Sequence, residues 1–300
     1  MSRLLTALLA VAALPVFAQY NKGAGSNAPA AQEVKVEKRA ADGTVRYETE
    51  RREAPRDAHG NAVGSTYDLA VDGAFSGQTV LVIDLYGQDF SQAAAAVGRK
   101  GFSVVRYREV PSLEVLEAGL KKANQFWILA SCENRVHLPK AHQLAVKRFF
   151  EAGHGVYLWG DNDPCNADAD ALATMLIDAR VQGDLPGDRT VGISRKAGEP
   201  GVVRDHLLST GVEQVYEGVT VATVKPAGAM TPVIYGSAGN LVSAAYEANG
   251  RRLIVDGGYT RLSYKWDTAG TGRYVMNAAA WLANYERFGD TVVAGQFQKK

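Results

Sequence analysis

Six oxygen-bearing side chains fall within one short stretch: Asp161, Asn162, Asp163, Asn166, Asp168 and Asp170. Three chemistries suit such a cluster. Calcium takes about six to eight oxygen ligands, and short Asp/Asn spacing can supply several from one loop, although the spaced Gly and terminal Glu of an EF-hand are missing. Alternatively, Asp168 or Asn166 caps a following helix, where a carboxylate also meets the positive end of the helix dipole. Asp161 and Asp163 precede that cap and would then fix the loop by hydrogen bonds. Thirdly, Glu133 with Asp161 forms a carboxylate pair of the kind that hydrolyses glycosides.

Other residue types carry further options. Cys132 and Cys165 are the only cysteines. They are either a bridge or, in Cys132, a nucleophile served by His137 or His206. His206 alone suits a base, a metal ligand or a structural hydrogen bond. His154 between Gly153 and Gly155 reads as a turn residue, and His59, His137 and His142 have no zinc spacing. Tyr259, Tyr264 and Trp266 with Arg261 and Lys265 make an aromatic and cationic loop, fit to stack on a sugar, hold an anion or cover the core. Residues 268–272 offer backbone N–H groups for an anion at a helix start, or simply a tight connection.

The compartment bears on the cysteines. Residues 1–18 run from Arg3 through an apolar stretch to Pro15-Val16-Phe17-Ala18. This is the layout of a secretory signal cleaved near Ala18, and the apolar run is shorter than the ~20 residues of a membrane span. No Cys follows it to take a lipid. Secretion or a periplasmic location is therefore expected, and there two thiols tend to pair.

Composition narrows the class. Lys+Arg 33 nearly equals Asp+Glu 32 in 300 residues, and one of the cations, Arg3, lies in the leader. A neutral chain lacks the positive surplus that nucleic-acid binding requires. Hydrophobic content of 46% with 22% charge describes a packed core. No later segment is apolar enough to cross a bilayer.

The elements that must position these residues begin at residue 79. Residues 19–31 read as a flexible tether and 34–50 as a hairpin turning at Asp42-Gly43. The whole stretch 19–77 is an extension. Val80-Leu81-Val82-Ile83, 103–107, Phe126-Trp127-Ile128-Leu129 and Val156-Tyr157-Leu158-Trp159 then read as strands. They alternate with helices over 90–99, 111–123, 139–152 and 168–179. Successive βα units imply a parallel sheet covered on both faces. Strands at 219–224, 233–235, 241–246 and 252–255 come next, then a closing helix over 274–288 and a tail, 289–300.

Over residues 78–288 the order of motifs resembles the class I glutamine amidotransferase-like superfamily. The resemblance rests on Val80-Leu81-Val82-Ile83-Asp84 with Tyr86-Gly87, on Phe126-Trp127-Ile128-Leu129-Ala130, and on Gly155-Val156-Tyr157-Leu158-Trp159-Gly160-Asp161. It extends to His206-Leu207-Leu208-Ser209-Thr210-Gly211, Asp256-Gly257-Gly258 and Trp281-Leu282. It implies an α/β, flavodoxin-like three-layer sandwich with a mainly parallel sheet. It also implies a nucleophilic Cys on the turn after the fourth strand and a downstream His-x-Glu. Here those places read Trp159-Gly160-Asp161-Asn162 and Asp256-Gly257-Gly258-Tyr259. A thiolate mechanism needs nucleophile and base, so glutamine hydrolysis is not expected.

In such a fold, ligands collect beyond the carboxyl ends of the strands. The expected ligand-binding set is therefore Tyr86, Gly87, Glu133, Asn134, Asp161, Asn162, Asp163, Asp256, Tyr259, Arg261 and Trp266. The third and fourth strands are neighbours in the flavodoxin-like order, so Cys132 and Cys165, which lie just past them, are expected to form a disulfide. The resulting expectation is a non-catalytic module for a small molecule, glycan or envelope protein. No cofactor is expected, with calcium open at the acidic loop. A carboxylate-dependent hydrolase and a structural envelope domain are the alternatives.

Overall fold

A computed structural model describes Tyr20 and residues 31–288, apart from residues 54, 59, 267 and 268. The leader, the tether apart from Tyr20 and Ala31, the tail, His59 and Thr268 thus lie outside the described residues. The strands are β1 (Ala31–Arg39), β2 (Val45–Glu53), β3 (Thr79–Asp84), β4 (Ser103–Tyr107), β5 (Gln125–Leu129) and β6 (Gly155–Trp159). They continue as β7 (Arg180–Pro186), β8 (Thr190–Val191), β9 (Ile193–Ser194), β10 (Gly201–Val203), β11 (Val215–Tyr216) and β12 (Thr220–Lys225). The last are β13 (Met230–Tyr235), β14 (Leu241–Ala248) and β15 (Arg251–Asp256). The helices are α1 (Ser91–Arg99), α2 (Leu113–Leu120), α3 (Lys140–Glu151), α4 (Ala167–Ile177), α5 (Thr271–Leu282) and α6 (Tyr285–Phe288).

A nine-stranded sheet has the order β4-β3-β5-β6-β15-β14-β13-β10-β9. Its first five strands are mutually parallel. Counted within that group, their order is 2-1-3-4-5, the flavodoxin-like arrangement, with the order reversing at β3. Direction changes beyond β15: β14 and then β13 pair antiparallel, β10 pairs antiparallel with β13, and β9 runs parallel to β10.

The apolar runs of β3, β5 and β6 explain the layers, because alternate residues of a strand point to opposite faces. Val80, Val82, Trp127, Tyr157 and Trp159 pack on one face with Val97 of α1 and Tyr274 and Trp281 of α5. Leu81, Ile83, Phe126, Ile128, Val156 and Leu158 pack on the other with Leu116 of α2, Phe150 of α3 and Leu172 of α4. Each fully buried aliphatic side chain contributes about 2 kcal/mol in area terms.

Residues 34–50 do form a hairpin: β1 and β2 pair antiparallel, with Arg39 opposite Val45. The closing helix differs from expectation. It stops at α5, and Asn284 takes a φ of 52° before α6 begins. The Asn284 amide donates to Gly153 O (2.9 Å) and Gly250 O (2.8 Å), which holds the break in place. Among the described residues no helix is long and apolar enough to cross a membrane.

Segment 55–75 is fastened through charge. Lys100 is wholly buried and donates to Asp68 (2.7 Å), Ala70 O (2.8 Å) and Asp72 (2.8 Å). Arg273 of α5 reaches the other oxygen of Asp68 at 2.6 Å. Tyr20 is held at the opposite end of α5, its hydroxyl 2.8 Å from Arg252.

Candidate functional site

A cleft of about 310 Å³ lies beyond the carboxyl ends of β3, β5, β6 and β15. It sits where strand order reverses, the position that the fold leaves open for a ligand. Backbone bonds extend the ladder into its floor: Leu85 N–H donates to Leu129 O (3.0 Å), Ala130 N–H to Trp159 O (2.9 Å) and Gly160 N–H to Asp256 O (2.8 Å). The loops beyond these bonds therefore leave from a rigid edge.

Asp161 occupies the centre. It is fully buried, although it lines the cleft. One carboxylate oxygen accepts from Asn162 N–H (2.8 Å) and the other from Thr260 N–H (3.1 Å). Burial raises its pKa to about 7, because lost hydration disfavours the anion more than these two donors and nearby Arg261 restore it.

An aromatic wall stands beside it. The Tyr86 and Tyr259 rings lie 4.0 Å apart between centroids at 37°. Burial, followed by the charges of Asp161 and Asp84, raises the pKa of Tyr86. Tyr259 is shifted upward chiefly by burial and next by Asp161. Tyr86 leaves β3 through a tight turn at Gly87, whose φ of 76° favours glycine and whose N–H donates to Asp84 at 3.0 Å. Asp84 is in turn gripped by Arg106 of β4 (Nε at 2.8 Å).

Cys132 and Cys165 form a disulfide, and both line the cleft. It ties the loop after β5 to the loop after β6. Cys132 Sγ lies 3.0 Å from the Tyr259 hydroxyl. His137 and His206 consequently face no free thiol.

The acidic loop is built for structure. Asp163 accepts from Gly183 N–H (2.9 Å) and from the Asn166 amide, which pins β7 to the loop. Asn162 accepts from the Thr220 hydroxyl at 2.6 Å and so brings the start of β12 to the cleft. Asp170 takes a two-pronged contact from Arg180 (2.8 and 2.9 Å). The capping expectation is corrected: Asn166 holds the N-cap position of α4 without a side-chain cap bond. Asp168 accepts instead from His137 N–H (2.7 Å) and Leu138 N–H (2.8 Å), fastening the loop after β5. Among the described residues, no group of three or more His, Cys, Asp or Glu is placed to hold a metal ion.

Of the residues expected from sequence, Tyr86, Asp161, Asn162 and Tyr259 meet in the cleft. Asp256 and Arg261 lie beneath it, both wholly buried and paired at 2.8 Å. Arg261 also donates to Glu217 O at 2.7 Å. This close approach needs Gly258, where a Cβ would come within 2.2 Å of that carbonyl. Glu133 and Asn134 are exposed, and Glu133 pairs with Arg135 (2.8 Å) and His137 (3.2 Å). Trp266 borders a different depression beside Gly272, where a Cβ would come within 3.3 Å of its ring. His206 accepts from Leu208 N–H (3.1 Å) and meets Trp281 edge-on. Burial lowers its pKa to about 4.

Sequence reasoning missed Val219, Thr220, Thr260 and Ser263, which complete the walls. Thr220 opens β12, but only the pairing of β12 with β7 carries it to Asn162. Ser263 lies between the predicted Arg261 and the aromatic Tyr264, so that loop was the available signal.

No protein family matches the chain, and no curated protein matches it either. Among solved structures it is similar to a protein described provisionally as part of a GMP synthase from Thermoplasma acidophilum. That match has 10% identity, a TM-score of 0.45 and coverage of 70% of this chain and 96% of the other. A cytoplasmic protein from Salmonella typhimurium LT2 is similar at 7% identity and a TM-score of 0.48, over 68% and 99% of the respective chains. PurLQS from Thermotoga maritima matches at 8% identity and 0.38, over 67% and 97%. These distant likenesses carry neither a residue nor an activity to this chain. Its own strand order defines an α/β protein of flavodoxin-like type.

Proposed function

We propose that this chain is an exported, non-catalytic amidotransferase-like module that binds a neutral, hydroxyl-rich ligand, such as a glycan, in the Asp161 cleft. The carrying observation is the disulfide: both cysteines of the chain are bonded to each other at the cleft, so no thiolate is available for acyl transfer. The turn after β6 supplies Gly160-Asp161 in place of a nucleophile. The lining matches the ligand class. Tyr86, Tyr259 and Tyr264 offer ring surface, Gln88, Asn162, Thr220 and Ser263 offer amide and hydroxyl groups, and Asp161 is the one ionisable carboxylate.

The test is titration of the purified protein with glucose, N-acetylglucosamine and maltotriose, followed by saturation-transfer NMR. Saturable binding that Tyr86→Ala weakens at least tenfold, with an unchanged melting temperature, supports the reading. Absence of binding to all three sugars counts against it. Ammonia release from glutamine, abolished by one substitution, would overturn it outright.

A second reading rests on Asp161 itself. A carboxyl group titrating near 7 in a cleft suits proton transfer, as in a carboxylate-dependent hydrolase. Glu133, expected as its partner, is exposed and engaged by Arg135. Turnover of p-nitrophenyl glycosides or acetate, lost in Asp161→Asn, would establish that reading in place of the first.

A further inference from the structure

The sheet has a second carboxyl edge. Because direction reverses between β15 and β14 and again at each antiparallel pairing, β9 and β10 end on the side opposite the Asp161 cleft. A depression of about 360 Å³ lies there, beyond the ends of these two strands.

Three cations border it. Arg195 and Lys196 come directly after β9, and Arg204 directly after β10. The two strands are parallel, with Val203 opposite Ser194. Arg204 and Arg195 are therefore the first residues past the paired ends of two strands about 4.8 Å apart. Like charges that line one depression repel each other. No described carboxylate forms an ion pair with any of the three, although ion pairs hold many of the other Arg side chains of the chain. Glu199 is close, but it accepts the backbone N–H of Arg195 at 3.3 Å. The turn is further fixed by the Ser194 hydroxyl donating to Lys196 O at 2.9 Å. The cations are thus presented from a constrained turn on an otherwise charge-balanced protein.

We infer that this depression is a binding site for a small organic phosphate. Arg195, Lys196 and Arg204 less Asp205 leave two positive charges on the lining. A phosphate monoester carries about −1.5 to −2 at neutral pH and three acceptor oxygens, so it can engage all three cations at once, which a single carboxylate with two oxygens cannot. Two adjacent guanidinium groups suit two-pronged contacts with phosphoryl oxygens. Tyr235 and Pro232 line the remainder, and Asp205 is an acceptor for a ligand hydroxyl. The volume exceeds what an inorganic ion needs, so the phosphoryl group enters attached to a small polyol.

Inorganic phosphate, glucose 6-phosphate and galacturonate are the probes, titrated calorimetrically into the full chain at 50 mM and 200 mM salt. Both phosphoryl compounds should bind saturably, glucose 6-phosphate more tightly, with affinity falling as salt rises. Arg195→Gln/Arg204→Gln should weaken both at least tenfold. Its melting temperature without ligand should equal or exceed that of the unaltered protein, because the repulsion is gone. No saturable binding at 50 mM salt, equal binding by the double variant, or equal affinity for galacturonate would each overturn the assignment. Tyr86→Ala, in the opposite cleft, should leave inorganic phosphate binding unchanged, which keeps the two sites distinguishable.

Discussion

Arg261 and Asp256 face each other at 2.8 Å beneath the cleft, and neither side chain reaches solvent. The pair is joined to the core by Tyr157 and Tyr274, whose hydroxyls lie 3.4 Å from Asp256, and by Gly258 N–H at 2.9 Å. Burial raises the Asp256 pKa, against the opposing pull of Arg261. A buried pair of this kind contributes little when intact but leaves an uncompensated charge when one member is removed. Arg261→Met should therefore destabilise the protein by about 3–5 kcal/mol, measured by urea unfolding. Asp256→Asn with Arg261→Met should recover much of that loss, since both charges then leave together.

Asp161 should impose a pH dependence of unusual sign. Its native pKa is raised to about 7 from 3.8, so between those values the folded chain binds the proton more tightly than the unfolded one. Stability falls as pH rises through that window, by up to about 4 kcal/mol at 1.36 kcal/mol per pKa unit. Melting temperatures between pH 4.5 and 7.5 should decline more steeply for the unaltered protein than for Asp161→Asn. Parallel curves would show that Asp161 ionises normally.

His206 works in the opposite sense. Its native pKa of about 4 lies below the ordinary 6.5, so the unfolded chain binds more protons between them. Stability is complete above about 6.5 and is lost as pH falls toward 4, by about 3 kcal/mol in all. Asn can still accept the Leu208 N–H, so His206→Asn should flatten the acid limb of the stability curve while leaving the melting temperature at pH 8 close to its starting value.

The bridge between Cys132 and Cys165 spans 33 positions of sequence. A loop of that size corresponds to about 2–4 kcal/mol of stabilisation. Cys132→Ser/Cys165→Ser should lose that amount in denaturant titration. Unreduced protein unfolded in guanidinium should show no titratable thiol; two thiols would remove the bridge.

The central βα alternation was legible because fully buried parallel strands have uninterrupted apolar runs, and Val80 to Ile83 is such a run. Strand 103–107, interrupted by Arg106 and only partly buried, was legible from its place in the alternation, and the helices from apolar residues at helical spacing such as Leu113, Leu116 and Leu120. The small strands β8 to β11 were not: two or three residues hold no period, and their pairing is decided by distant partners. For the site, Tyr86, Asp161 and Tyr259 stand just past the carboxyl ends of buried strands, where the fold places its ligands. Asp256 and Arg261 satisfy the same rule yet pair under the floor, because residues after β15 turn inward at Gly258. Trp266 lies only a few residues beyond Tyr259, and the chain has by then turned toward α5. Thr220 was invisible as a site residue because its place depends on β7, which sequence periodicity did not reveal.

The cleft walls after β5 and β6 are stapled to each other at the cleft itself. Any batch matured where thiols stay reduced would carry an unstapled mouth and two sulfhydryls beside Tyr259. Assays on such material would report on a different molecule, and sulfhydryl reagents would appear to hit an active-site nucleophile that the oxidised protein does not possess.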